Sequence, residues 1–322
     1  MIENRAPETL YLVIPCYNEE EVLPETSRRL LEKLAGMVAA GMVTEKSRIL
    51  FVDDGSKDKT WELISRLHRE HRQISGLKLS RNRGHQNALL AGLMTAKQYA
   101  DMVISMDADL QDDVDAVDRF VEEYYKGSDV VYGVRSSRET DTAFKRGTAQ
   151  GFYKFMQALG VDIVDNHADY RLMSRRALEG LAQYKEVNLF LRGVVPLIGF
   201  PSAIVTYERH ERFAGESKYP LKKMLSFAFD GITSFSVKPI RMITWLGVLI
   251  FIASIIMLLV LLVQKLFGYT VQGWTTLMGS IWMIGGIQLL CLGIIGEYVG
   301  KIYAEVKQRP RFIIDRLLNE LE

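Results

Sequence analysis

Residues 107–111 read Asp-Ala-Asp-Leu-Gln and follow the apolar run MVISM. Asp107, Asp109 and Gln111 offer only oxygen donors. Hard divalent ions such as Mg²⁺ or Mn²⁺ prefer such donors and commonly bridge them to a diphosphate. A second acidic group, Asp53-Asp54-Gly55-Ser56, ends another apolar run, RILFV. Either Asp53 or Asp54 could accept the imide N–H of a uracil ring while Tyr17 stacks on it. The same four residues also suit a tight turn capping the next helix. Cations suited to phosphate are Arg135, Arg138, Arg171, Arg209 and Arg212 in YERHERF, and Lys218 in GESKY. Arginine grips phosphate bidentately, whereas lysine acts as a point charge. A reaction joining two phosphorylated molecules needs such charge to bring them together. His85, His167 and His210 show no zinc-ligand spacing and no cysteine partner, so they are expected at the surface or behind the site.

These groups need a frame. LYLVIP (10–15), RILFVDD (48–54), GLKLS (76–80), MVISMD (102–107) and DVVYGV (129–134) are short apolar runs ending in polar residues. Between them lie helical-length segments, Glu21–Gly36, Lys59–Arg72, His85–Lys97 and Val114–Lys126. That alternation predicts an α/β domain, a mostly parallel sheet with helices on both faces. Ligands of such sheets sit at the carboxyl ends of the strands, where Tyr17-Asn18-Glu19, Asp53-Asp54 and Asp107-Ala108-Asp109 fall. No GxxxxGK[ST] loop and no strand-linked GxGxxG occurs, which speaks against P-loop ATPases and dinucleotide enzymes.

The chain has 322 residues with 40 basic and 39 acidic side chains, a balance that argues against nucleic acid as a partner. Its two cysteines, Cys16 and Cys291, make no disulfide framework. Between Met242 and Gly296 the one charged residue is Lys265. Met242–Gln264 is uncharged throughout, and roughly 20 such residues cross a bilayer as a helix. Thr275–Gly296 is a second candidate span. Lys218, Lys222, Lys223, Lys238 and Arg241 precede the pair, and Lys301, Lys307, Arg309 and Arg311 follow it. The positive-inside rule then places both termini in the cytoplasm. Residues 1–9 are polar, so no signal peptide is expected before the first strand. Leu221, Met224, Leu225, Ala228, Ile232 and Phe235 recur at helical spacing, which suggests a helix lying on the headgroups.

Taken in order, VIPCYNEEE, FVDDGSKDKT, LSRNRGHQNALLAG, MDADLQD, DYRLMSRRAL, FAGESKYPLKK and IIGEYVGKIYAEVKQRPRF resemble glycosyltransferase family 2. Within it, the chain looks like the polyisoprenyl-phosphate glycosyltransferases with two C-terminal transmembrane helices. Those include bacterial enzymes that glycosylate undecaprenyl phosphate, relatives of dolichol-phosphate mannose synthase. The likeness runs from about Leu10 to Phe312. It implies a GT-A-type cytoplasmic domain over 1–215, an interfacial helix over 216–241, spans at 242–264 and 275–296, and a cytoplasmic tail over 297–322.

The resemblance also implies roles. Pro15, Tyr17, Glu19, Asp53 and Asp107 would line the nucleotide site, with Asp54 reading the base. Asp107, Asp109 and Gln111 would hold Mg²⁺ or Mn²⁺ with the diphosphate, Asp109 and Gln111 most directly. Asp169 matches the acidic residue beside sugar and acceptor, for which a base role has been proposed. Here Asn166-His167-Ala168 precede it where relatives often carry glycine. A lipid phosphate monoester, with a second pKa near ~6, is already a nucleophile at neutral pH. Asp169 therefore either takes a proton or orients sugar or acceptor.

The implied activity is inverting, metal-dependent transfer of one sugar, of glucose or N-acetylglucosamine type, from a UDP-sugar to undecaprenyl phosphate. It would take place at the inner leaflet of a bacterial cell membrane and serve cell-envelope glycans. The glycine series Gly279, Gly285, Gly286, Gly293, Gly296 and Gly300 favours close helix contact, and relatives form tetramers. A GDP-mannose donor and a non-catalytic membrane scaffold are the alternatives. A processive polysaccharide synthase is disfavoured because the chain has no Arg-Trp pair and so no QxxRW.

Overall fold

The computed structural model describes residues 6–135, 167–187, 190–208 and 273–319, together with Ile240 and scattered positions from Met242 to Phe267. Arg138, Arg209, Arg212, Lys218 and the expected interfacial helix, apart from Ile240, lie outside the described residues. The chain divides into two compact units. One comprises Met1–Tyr153, Ile163–Pro220 and Arg309–Glu322, the other Lys154–Asp162 and Leu221–Gln308.

In the first unit the apolar runs become β1 (Leu10–Cys16), β2 (Arg48–Asp53), β3 (Ile74–Leu79), β4 (Met102–Ser105) and β5 (Val130–Arg135). The helices between them are α1 (Leu23–Ala39), α2 (Thr60–Glu70), α3 (His85–Ala96) and α4 (Ala116–Tyr125). Beyond the expected set come β6 (His167–Ser174), α5 (Arg175–Leu181), α6 (Leu191–Leu197) and β7 (Ser202–Tyr207). One eight-stranded sheet results, ordered β7-β5-β6-β4-β1-β2-β3-β8, where β8 is Ile314–Leu318. Pairings β4-β1, β1-β2, β2-β3 and β5-β7 are parallel, while β6 and β8 run antiparallel to their neighbours. This is the GT-A-like α/β arrangement, a mixed, mostly parallel sheet.

Every residue of β1 is buried, as expected for a strand covered on both faces. Leu10, Leu12 and Ile14 join Phe51 of β2 in a core built with Leu30 and Leu34 of α1, Ile64 of α2 and Phe120 of α4. Val13 and Val52 face α3, which crosses so closely that a Cβ on Gly92 would sit 2.4 Å from Val13 Cγ1. The uniformly apolar stretch Ala88–Leu93 of α3 is buried along its length, which suits a helix pressed on the middle of a sheet.

The expected tail takes a different form. Helix α7 runs unbroken from Trp274 to Lys307, and the chain then adds β8 to the edge of the first unit's sheet. The boundary drawn at 215 therefore leaves out a strand of that unit, because antiparallel pairing covers the otherwise open edge of β3. In the second unit the described positions from Met242 to Val263 are helical. Among the described residues, one helix is long and apolar enough to cross a membrane, over Met283–Lys307 within α7. The expected span at 275–296 lies within α7.

Candidate active site

Parallel pairing brings the carboxyl ends of β1, β2 and β4 to one edge, with β1 between β2 and β4 where the strand order reverses. Two loops at this edge are laced together. Asp54 N–H donates to the Cys16 carbonyl at 2.9 Å, and Asn18 N–H to Ser56 Oγ at 3.0 Å. Asn18 Oδ1 accepts from Lys57 N at 2.9 Å, Glu19 N–H donates to Thr60 Oγ1 at 2.9 Å, and Glu20 Oε2 accepts from Lys59 N at 3.0 Å. Asn18 takes a left-handed φ of 53° to make this lacing. Gly55 is required twice over: its φ is +66°, and a Cβ there would lie 2.6 Å from the Arg81 carbonyl carbon. Asp-Asp-Gly-Ser thus forms the tight turn but does not cap the next helix, because α2 has Lys59 at its N-cap with no side-chain cap bond.

Pro15 is buried and Tyr17 half-buried at the start of the first loop. Asp54 is buried, and its Oδ1 and Oδ2 accept the N–H groups of Arg83 (2.7 Å) and Gly84 (2.9 Å). Burial raises its pKa while those two amides lower it. Asp53 is also buried; Oδ1 accepts from Ser56 N at 3.0 Å and Oδ2 has no hydrogen-bond partner among the described residues. Burial holds its pKa above the usual carboxylate range.

The Asp107–Gln111 segment follows β4, which ends at Ser105, two residues short of the expected strand. Asp109 Oδ1 accepts from Gln111 N at 3.2 Å, and Leu110 between them has φ 57°, uncommon for a branched side chain and a marker of a constrained site loop. Asp107 is 41% exposed. The low-dielectric cleft wall raises its pKa, His85 lowers it, and Asp169 and Asp109 raise it again. Among the described residues no three His, Cys, Asp or Glu groups form a self-sufficient metal cage. Two carboxylates and an amide nevertheless fit an ion of the Mg²⁺ type, which keeps few protein ligands and completes its shell with substrate phosphate.

Asp169 sits at the start of β6. The β4-β6 register pairs Ser105 with Arg171, so antiparallel β6 delivers Asp169 to the edge that carries Asp107. Its carboxylate is 12% exposed and gripped from three sides. Arg171 Nη2 lies 2.7 Å from Oδ1, Arg192 Nε and Nη2 lie 3.3 Å from Oδ1 and 3.2 Å from Oδ2, and His85 Nε2 is 3.5 Å from Oδ2. Burial alone would raise this pKa, but Arg192, His85 and Arg171 hold it well below the ordinary value. These cations favour the charged carboxylate of Asp169. His85 Nε2 also lies 3.7 Å from Asp107 Oδ1; burial disfavours its charge, but the two carboxylates win and raise its pKa to about 9. It is an imidazolium at neutral pH.

Arg171 differs from its expected phosphate-binding place. Its side chain is 2% exposed, and its charge is committed to Asp169, so it holds the site from beneath. Arg135 ends β5 and donates from Nε to Tyr207 Oη at 3.4 Å. Tyr207 in turn donates to Asp112 Oδ1 at 2.6 Å. Burial and the charge of Asp107 push the Asp112 pKa up to about 6. The structure thus gathers Asp107, Asp169 and two residues the sequence reading did not place in the site, His85 and Arg192. His85 stands in the motif RNRGHQN. Arg192 carries no local signature, since it reaches Asp169 from the first turn of α6, 23 residues further along the chain.

The glycosyl transferase family 2 profile matches residues 11–181, and a second profile, the GtrB C-terminal hairpin, matches residues 238–302. The uncharacterized glycosyltransferase YkoT of Bacillus subtilis is 56% identical over 306 residues, covering 95% of this chain and 91% of that one. The bactoprenol glucosyl transferase of Shigella phage SfII is 39% identical over 312 residues, covering 95% and 97%. Among solved structures, the mannosyltransferase PcManGT of Pyrobaculum calidifontis, in complex with GDP-Man and Mn²⁺, is 15% identical with a TM-score of 0.43, covering 94% and 87%. A family profile spanning more than half of the chain, and relatives matched along nearly all of it, make this protein a glycosyltransferase of family 2.

Proposed function

We propose that the protein transfers one sugar from a nucleotide-diphosphate donor, a UDP-sugar of glucose or N-acetylglucosamine type, to undecaprenyl phosphate. The observation that carries the reading is the pairing of two features in one chain. One is a family 2 domain whose Asp107–Gln111 loop and Asp169 share an edge, and the other is a C-terminal segment matching the GtrB hairpin. A relative named as a bactoprenol glucosyl transferase is matched over 97% of its length, both regions of this chain included, which supports a polyprenyl phosphate as acceptor.

In this reading an oxygen of the lipid phosphate attacks the sugar C1 as the bond from C1 to the donor's diphosphate breaks. One in-line displacement inverts the anomeric centre, and UDP leaves with the bonding pair. Asp107, Asp109 and Gln111 would hold Mg²⁺ or Mn²⁺, which supplies neutralising charge for the diphosphate. The acceptor, largely a dianion at neutral pH with a second pKa of about 6, needs no strong base. That matches an Asp169 whose surroundings keep it anionic. Pro15, Tyr17, Glu19, Asp53 and Asp54 line the nucleotide end, with Arg135, Arg138, Arg209, Arg212 and Lys218 the cations available to acceptor phosphate.

The apolar hairpin would keep the enzyme in the bacterial membrane that holds its acceptor, with the catalytic domain and both termini cytoplasmic. Gly285, Gly286, Gly293, Gly296 and Gly300 have no atom within 4 Å of an added Cβ, which leaves that helix room for a second copy and supports a homotetramer. The test is to incubate the full-length protein with undecaprenyl phosphate, Mg²⁺ and a panel of UDP- and GDP-sugars and to weigh the lipid product. A single hexose or N-acetylhexosamine added from a UDP-sugar is expected. Product from GDP-mannose alone would replace the donor, and no product from any donor would remove the activity.

A further inference from the structure

We infer that β8 is a positioning element of the nucleotide end: docked on β3, it holds the Arg81–Gly84 turn in place, and donor affinity depends on that docking. The inference rests on the transferase reading above. The turn matters because Asp54, the expected base reader, uses both carboxylate oxygens on it, through the N–H groups of Arg83 and Gly84. Gly55 packs on the same turn so closely that a Cβ there would lie 2.6 Å from the Arg81 carbonyl carbon. The Asp53–Ser56 corner is therefore shaped by wherever residues 81–84 are held. β3 ends at Leu79 and leads straight into them, and its neighbours in the sheet are β2 and β8.

β8 is fastened along its length and again beyond its site end. Antiparallel pairing sets Gly76 against Leu318, Leu77 against Leu317 and Lys78 against Arg316. The register then shifts by one, so that Leu79 faces Ile314 and Asp315 is the extra residue of a β-bulge. In the shifted register Ser80 N–H donates to the Ile313 carbonyl at 3.0 Å. Ser80 is the last residue before the turn. At the far end Ser75 Oγ donates to Asn319 Oδ1 at 2.8 Å, and ahead of the strand Arg311 Nη2 donates to the Tyr184 carbonyl at 3.0 Å. Set against these bonds is little burial, since Ile314, Asp315, Arg316 and Leu317 are all exposed. Elements with few buried apolar contacts open at free energies below that of global unfolding. β8 can thus leave β3 while the rest of the sheet stays folded. Linkage then runs both ways: if docking tightens nucleotide binding, the nucleotide tightens docking by the same factor. β8 also follows the hairpin in the chain, so a chain cut before Met242 loses this part of the nucleotide end together with its apolar segment.

The test uses the full-length protein in detergent micelles, with UDP and Mg²⁺ as the probe. In the wild type, saturating UDP should slow hydrogen exchange of peptides covering Phe312–Asn319 about fivefold, the lower end for a coupling between two sites. Peptides covering Ser80–His85 should slow with them. Leu318→Asp puts a carboxylate over Gly76, where Leu318 Cδ1 now packs, and so favours the undocked strand. It should weaken UDP binding about fivefold and raise the donor KM to match, with kcat and the KM for undecaprenyl phosphate unchanged. Asn319→Ala should fall between that variant and the wild type, and Leu318→Met should restore wild-type affinity. UDP that slows exchange at Ser80–His85 but leaves Phe312–Asn319 untouched overturns the inference, and this measurement needs no variant and so stands even if Leu318→Asp fails to fold. Wild-type UDP affinity in a Leu318→Asp protein whose β8 peptides exchange freely overturns it equally. A wild type that binds no UDP is a different failure: it removes the donor reading, and the inference with it.

Discussion

Asp54 and Asp109 are both acidic residues at strand ends, and their surroundings assign them different work. Asp54 uses each oxygen on a backbone N–H of the Arg83–Gly84 turn, which makes it the fastening for the start of α3 and hence for His85. Hydrogen bonds to a charged acceptor contribute about 1.5–3 kcal/mol each. Asp54→Ala should therefore lower stability by about 3–6 kcal/mol, read as a clear drop in unfolding temperature; an unchanged transition would mean that the turn holds itself. Asp109 Oδ1 accepts from the amide of Gln111, two residues on in its own loop. Asp109→Asn should leave the unfolding transition in place while abolishing sugar transfer, measured as lipid product per enzyme. Full activity in that variant would remove Asp109 from the diphosphate site. The acidic groups Asp53-Asp54 and Asp107-Ala108-Asp109 were legible in the sequence because each stands together at the end of an apolar run. The grouping of His85, Asp107, Asp169 and Arg192 was not, since it depends on an antiparallel strand inserted beside β4.

Periodicity identified β1 to β5 and α1 to α4 because each is a complete apolar run or stripe with polar ends. It missed β6 and β7, which lie past the fifth run, and β8, whose IDRLL is short, charged and mostly exposed. An edge strand needs little burial, so it leaves little hydrophobic signature. Contact at the element level also decides what glycines tolerate. A Cβ on Gly92 of α3 would stand 2.4 Å from Val13 Cγ1 and 2.7 Å from Val52 Cγ2. One on Gly36 of α1 meets nothing within 4 Å. Gly92→Ala should cost about 1–3 kcal/mol by overpacking the sheet face. Gly36→Ala should instead add about 0.5–1 kcal/mol through helix propensity. Denaturant midpoints of the two variants moving in the same direction would show that the α3 crossing adapts where the present packing says it cannot.

At the scale of the whole molecule, near-neutrality conceals a division. The 40 basic and 39 acidic side chains almost cancel, yet from Met242 to Gly296 Lys265 stands alone among uncharged residues. Among the described residues of that region, Trp245, Leu249, Leu289 and Leu292 are all largely exposed. Exposed apolar surface on this scale needs a non-aqueous neighbour. Two forces could bind such a chain to a membrane, and they answer differently to salt. Attraction between basic flanks and anionic headgroups is screened within about 8–10 Å at physiological ionic strength and nearly lost at 1 M. Burial of a helix of roughly 20 apolar residues is not. The protein should therefore stay in the membrane fraction through washes of 1 M salt and of alkaline carbonate, and leave it only with detergent. Release by salt alone would mean that the domain is held from outside by its lysines and arginines, and that the hairpin meets protein rather than lipid.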